Sequence, residues 1–352
     1  SICVDSDENV FVTGTFSGTV DFDPGSGTAN LLSSGSEDIF ILKLDSSGNF
    51  IWAKKIGGTA SDIGNSIMCD SSDNVILGGA FRNSVDFDPG AGNYVISSNG
   101  MRDAFMLRLS TSGTFLSAHT FGSTDDDICN SIKISDNAIY FCGQFSGTVD
   151  FDSGLGIYNL TSNGTYDIFV AKCDLNGSFL WGRNYNAFQY GQIAIDNSEN
   201  VYVTGDFIGT VDFDPGLGVH FITYVNGWNG YVLKLDSSGI FVWAKAFLGG
   251  DNHVAREISI DESTSDVLTW GLFFGTVDFD PNLGSYIFTA PGGDNYLSRL
   301  DSSGNFIWVK KVGDSAVDLK GLSTASAGEI YCTGSFVSTT DFDETVEVFN
   351  LV

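Results

Sequence analysis

The chain has 352 residues with 42% hydrophobic and 17% charged residues, so it can bury a large core as one closed repeat domain or two ordinary ones, and it is not a disordered composition. A net charge of −28 argues against binding phosphate backbones or anionic lipid surfaces, and it favours cations or basic patches on a partner, unless the acidity simply keeps the protein soluble. Only eight of the 44 acids are Glu, and Asp with 43 Gly and 29 Phe is the make-up of short strands joined by tight turns; no apolar run is long enough to span a membrane.

Ser1 opens in the middle of a repeating pattern, so the chain is expected to be a piece of a longer one that has lost its natural N-terminus. The string TVDFDPG at residues 19–25 returns as SVDFDPG (84–90), TVDFDSG (148–154), TVDFDPG (210–216), TVDFDPN (276–282) and TTDFDET (339–345). The first Asp of each copy is Asp21, Asp86, Asp150, Asp212, Asp278 and Asp341, 62–66 residues apart, and a G-x-F triplet ending at Phe16, Phe81, Phe145, Phe207, Phe273 and Phe336 precedes each. The repeats run over 1–65, 66–130, 131–192, 193–256 and 257–320, with a partial copy at 321–352.

Within a repeat the reading is four strands. A first resembles SIxxD (66–70) and a turn such as DSSDN (70–74) leads to a second of the type VYVTGxF (201–207). After the VDFDPG segment and a short tail, a third alternates as DIFILKLD (38–45) or DIFVAKCD (167–174), and the turn SSGN (46–49) carries it into a fourth, FIWAKK (50–55). Four-stranded antiparallel sheets repeated about six times predict an all-β fold: a single β-propeller domain of about six blades over 1–352, each with an inserted VDFDPG segment. An open β-solenoid is the other reading, although its coils would be shorter.

The segments DIFILKLDSSGNFIWAKKIGG (38–58) and NSIMCDSSDNVILGG (65–79) resemble the bacterial β-propeller repeat called SBBP, over essentially the whole chain. That resemblance implies a secreted or cell-surface protein, in many relatives exported by the type IX route, and it brings no catalytic or ligand residues with it. This chain departs from the common pattern in its VDFDPG insertion, and it is expected to lack the C-terminal sorting domain of type IX cargo.

The first half of the repeat occurs six times and the FILKLD…FIWAKK half five times. The expectation is an unpaired sheet edge near residues 329–336, filled by a hairpin from flanking residues or from another chain.

The paired acids Asp21 and Asp23, Asp86 and Asp88, Asp150 and Asp152, Asp212 and Asp214, and Asp278 and Asp280 lie on one face of an extended strand with Phe between them. Such pairs before a Pro-Gly turn suit a calcium ion. Alternatively, Asp23 and its equivalents cap their turn while Asp21 and its equivalents pair with the third-strand base, Lys43, Arg108, Lys172, Lys234 or Arg299. No other cofactor is expected.

Trp52, Trp181, Trp243 and Trp308, replaced by Ser117 in the second copy, are read as packing between repeats rather than as a sugar-stacking set, whereas Trp228 and Trp270 break the repeat. Cys3, Cys69, Cys129, Cys142, Cys173 and Cys332 show no zinc spacing, and Cys129 with Cys142 is a pairing open on neighbouring strands. His119, His220 and His253 fall at different repeat positions, no GxSxG, HExxH or GxxxxGK[ST] motif is present, and the sequons at Asn159, Asn163 and Asn176 matter only in a secreted eukaryotic chain.

These features point to a non-enzymatic extracellular or cell-surface module that binds a protein or glycan, with no nucleic-acid partner and no membrane insertion. Two alternatives stay open: a secreted hydrolase or lyase with an acidic site at the propeller axis, and a structural spacer of a larger surface protein.

Overall fold

The computed structural model describes residues 1–312, 317–325, 328–336, 340–341 and 350–351. They are strands and turns with no helix. Contacts divide the chain into two compact bodies, Ser1–Asn184 and Tyr185–Val352.

The first body holds three antiparallel four-stranded meanders. Their strands are Ile2–Val4, Val10–Phe16, Asp38–Leu44 and Phe50–Ile56; Ile63–Cys69, Val75–Asp86, Val95–Leu109 and Phe115–Phe121; and Ile128–Ile134, Ala138–Phe145, Asp167–Asp174 and Phe179–Tyr185, the last reaching the boundary. The second body repeats the order with Phe188–Ile195, Val201–Asp212, Phe221–Leu235 and Phe241–Ala246, and then with His253–Asp261, Asp266–Asp278, Ile287–Leu300 and Phe306–Lys311, joined by the short strand Leu248–Gly249. In the sixth copy Val317–Thr324 pairs with Ile330–Phe336, and Thr340–Asp341 pairs with Asn350–Leu351.

The VDFDPG segment is an outward continuation of the middle hairpin rather than a separate insertion. In the second, fourth and fifth repeats it is continuous with the second strand, pairing back through Ser84↔Ser97, Thr210↔Thr223 and Thr276↔Thr289. In the first and third it is a short ribbon, Thr19–Asp21 with Asn30–Leu32 and Thr148–Asp150 with Asn159–Thr161. A left-handed residue marks the kink each time: Gly18, Asn83, Gly147, Gly209 and Gly275, with φ of 61–80°. A bulge there needs positive φ, which Gly adopts freely and Asn tolerates best among the rest.

The Phe between the two acids anchors this extension. It meets the G-x-F phenylalanine edge to face in every described copy, at 5.2 Å for Phe16–Phe22, 5.1 Å for Phe81–Phe87, 5.5 Å for Phe145–Phe151, 5.4 Å for Phe207–Phe213 and 5.2 Å for Phe273–Phe279. A third ring from the third strand, Phe40, Phe105, Phe169, Tyr231 or Tyr296, completes the cluster at 4.8–5.2 Å. Period two sends that ring inward and both acids outward.

Candidate functional site

The hairpin tips carry the recurring acids, and one oxygen of each accepts backbone amides of the turn itself. Asp21 Oδ1 accepts from the amides of Asp23 (3.1 Å) and Ala29 (2.7 Å), and Asp23 Oδ1 accepts from Gly25 (2.7 Å). The first acid does the same at Asp86 with Asp88 and Tyr94, Asp150 with Asp152 and Tyr158, Asp212 with Asp214 and His220, and Asp278 with Asp280 and Tyr286. The second acid caps Gly90, Gly154, Gly216 and Asn282 from Asp88, Asp152, Asp214 and Asp280. The Ala29 and Asp23 amides hold the Asp21 carboxyl below its ordinary value.

The glycine closing each D-x-x-x-G stretch has a steric reason. A Cβ on Gly27, Gly92, Gly156, Gly218 or Gly284 would lie 1.9–2.1 Å from the second oxygen of the capping Asp. Among the described residues no three His, Cys, Asp or Glu side chains come together to hold a metal.

In three repeats the third-strand base pairs with acids of the turn between the first two strands instead, a correction to the expectation for Asp21, Asp86 and Asp278. Lys43 binds Asp5 at 3.1 Å, Arg108 binds Asp70 at 3.0 Å, and Arg299 binds Asp261 and Asp266 at 2.7 and 2.8 Å. Register is the reason. The base lies opposite Phe11, Ile76, Tyr140, Tyr202 or Leu268, near the turn between the first two strands, while the Asp-Phe-Asp segment lies beyond the other end of the second strand. The base also covers an aromatic ring, with Lys43 over Phe11, Lys172 over Tyr140 and Lys234 over Tyr202 at 4.6–4.8 Å.

Two of the tryptophans reach the next repeat by a hydrogen bond, and Trp52, Trp181 and Trp243 each meet a ring of their own second strand. Trp52 Nε1 donates to the Thr111 carbonyl and Trp243 Nε1 to Ser302, both in the next repeat's third-to-fourth turn, while Trp181 stacks edge-on against Tyr140. His119 sits two residues past Ser117, as Lys54 does past Trp52, and covers Gly177 as Lys54 covers Gly113. His220 stacks on Phe241 at 5.0 Å. Cys129 lies opposite Gly143 and Cys142 opposite Ser131, so that pair is offset by a bulge, and none of the six cysteines is in a disulfide. The close thiols are Cys3 and Cys69, 3.1 Å apart across adjacent repeats, a pairing with no signal in the spacing.

Where the repeat pattern breaks, the second body places a buried polar cluster. Opposite the G-x-F phenylalanine the third strand carries Asp38, Asp103, Asp167 and Asp294, but Asn229 in the fourth repeat. At the position of Asp62 and Asp127 stands His253, fully buried, whose Nδ1 accepts from the Gly230 amide at 3.1 Å. That bond leaves the proton on Nε2, and burial pushes the imidazole down to about 3, so it is neutral. The acid has moved to Asp206, whose Oδ1 accepts from the Ala255 amide at 3.0 Å. Burial pushes Asp206 up to about 7 against that bond and the charge of Arg256. Trp228 stacks on Phe188 at 4.6 Å, and Trp270 is buried. Of the two tryptophans flagged in the sequence, Trp228 adjoins Asn229 in this region, whereas Trp270 packs in a separate cluster with Leu268, Leu297, Val317 and Leu319; Asp206, Asn229 and His253 become visible only when strands are aligned by register.

The tips also bear apolar side chains. Leu155, Leu217 and Leu283 occupy the same place in three successive repeats, each fully exposed. Ile157, Val219, Phe221, Tyr286 and Ile287 beside them are exposed as well.

No family model matches the chain. An uncharacterized WD repeat-containing protein of Acanthamoeba polyphaga mimivirus is 28% identical over 207 residues, covering 51% of this chain and 15% of the relative. Among solved structures, a protein of unknown function from Bacteroides caccae aligns over 77% of this chain and 89% of its own, with 10% identity and a TM-score of 0.35. The chain is therefore similar to a WD-repeat protein, consistent with a propeller-like repeat architecture.

Proposed function

We propose that the chain is a non-enzymatic β-propeller of six blades, of the SBBP type and exported to the cell exterior, whose hairpin tips bind a protein or glycan. The observation that carries this reading is a fully exposed leucine at the same tip position, Leu155 in the first body and Leu217 and Leu283 in the second, on tips fixed by buried phenylalanines and capped acids. One exposed leucine carries no information, but the same exposed position in three successive repeats does. Each rigid tip loses little entropy on binding, so the apolar contact translates into affinity. The acidic surface around the tips favours a partner with basic or hydroxyl-rich patches.

The test is a glycan array together with a panel of purified surface proteins, probed with the chain and with a Leu155→Ser, Leu217→Ser, Leu283→Ser variant. Binding by the parent chain and its loss in a variant with an unchanged melting temperature is the expected result. Equal binding by both, or none by the parent, would refute the proposal.

A further inference from the structure

Cys3 and Cys69 stand apart from the other thiols of the chain. Their Sγ atoms are 3.1 Å apart across the junction of the first two repeats, and both residues are half-buried at the rim of the first body's core. Cys129, Cys142 and Cys173 are buried, and Cys332 is exposed on the sixth repeat's second strand.

The repeat geometry brings the two together. Cys3 pairs with Phe11 and Cys69 with Val75, each within the first strand of its meander. The Ile67 amide donates to Ser1 Oγ at 3.3 Å, as the Ile132 amide donates to Ser66 Oγ at 3.0 Å one repeat later, so these neighbouring first strands keep one offset. With that offset a given position of one repeat faces the next position of the following repeat. Met68 and Ile134 pack at the rim of one core, Ala194 and Ile260 lie in another, and the hydroxyls of Ser259 and Thr324 meet at 3.4 Å. At the first junction alone both members are thiols.

We infer that Cys3 and Cys69 form a reversible redox site, which an oxidant of the glutathione disulfide class converts into an intramolecular disulfide stapling strand Ile2–Val4 to the second repeat. One Cys thiolate attacks the oxidant's S–S bond and releases a first glutathione. The other Cys then attacks the mixed disulfide, forming the Cys3–Cys69 bond and releasing a second glutathione. Two protein thiols are oxidised, one glutathione disulfide is reduced to two thiols, and the two protein protons end on those thiols. The sulfurs close by about 1 Å to reach bonding distance. The hydrogen bond to Cys69, burial and the Asp5 carboxylate push the Cys3 thiol up, which leaves the first attack to Cys69. The partners are 66 residues apart, so the bond removes much entropy from the unfolded chain. This reading is independent of the tip leucines.

The experiment incubates the reduced 352-residue chain with excess glutathione disulfide and maps its thiols by alkylation and peptide mass spectrometry, before and after dithiothreitol. A peptide pair linked through Cys3 and Cys69 and released by dithiothreitol is expected, with a Tm about 10 °C above that of the reduced chain. Cys3→Ser and Cys69→Ser should each lose the link and the rise in Tm and take up glutathione on the remaining thiol. Both variants are expected to fold, because Ser259 and Thr324 carry hydroxyls at the same two positions. Glutathione held separately on Cys3 and Cys69 in the parent, no oxidation of either, a link from either to Cys332, or a linked chain with an unchanged Tm would overturn the inference.

Discussion

Asp206 offers a direct test of the buried polar cluster. Its carboxyl is 3% exposed, and burial pushes it from an ordinary 3.8 to about 7. A carboxyl with a raised value in the fold binds its proton more tightly folded than unfolded. Its cost is therefore absent below about pH 4 and grows as pH rises to 7, where it is roughly 4 kcal/mol at 1.4 kcal/mol per pH unit. Asp206→Asn keeps an oxygen for the Ala255 amide but cannot ionise. The new amide hydrogens in a buried site cost about 1–2 kcal/mol at every pH, so the readout is the pH dependence rather than the absolute change. Urea or thermal unfolding of both proteins from pH 4 to 8 should show the variant's stability relative to the parent rising by roughly 4 kcal/mol. That corresponds to about 10 °C in Tm for a body of this size. A difference that stays constant from pH 4 to pH 8, or that falls, would show that Asp206 is not held protonated by burial.

Three further outcomes follow from the same geometry. Phe87→Ala should cost about 3–5 kcal/mol, because Phe87 is fully buried between Phe81 and Phe105, and Phe22→Ala should cost less because its ring lies at the rim of its cluster; equal losses would contradict the packing. Gly92→Ala should destabilise by about 1–2 kcal/mol in the parent and by clearly less in an Asp88→Ala background, since the added methyl collides with the Asp88 oxygen, and additive losses in the double variant would exclude that collision as the cause. EDTA and Ca²⁺ should leave the melting curve unchanged, because both Asp-Phe-Asp carboxylates already accept backbone amides; a rise of several degrees with Ca²⁺ would return the acid pairs to a metal role.

Much of the architecture is legible in the sequence because it depends on local pattern. The 62–66-residue register, the period-two alternation of DIFILKL and the Asp and Gly turn punctuation place every strand of a four-stranded repeat without tertiary information. The capping role of Asp23 and its equivalents is also readable, since an Asx turn spans two residues. The partner of the third-strand base was not. Lys43 lies nearer in sequence to Asp21 than to Asp5, and only the antiparallel register puts it beside the turn acid. Composition likewise hides that the VDFDPG segment lengthens the central hairpin, because pairing is decided by a bulge at one left-handed residue.

The sequence by itself determined the repeat, the all-β class and the turn chemistry, since these rest on interactions within a few residues of one another. Tertiary structure alone decided which charges meet, which thiols touch and which polar groups are buried. Cys3 and Cys69 lie 66 residues apart, and Ala255 is 49 residues from the Asp206 carboxylate it donates to. Contacts of that kind form when neighbouring sheets stack, and no local pattern encodes the stacking offset. The reason is physical: hydrogen bonds along a strand follow period two whatever packs on it, whereas burial and charge pairing depend on which face of the next sheet arrives there.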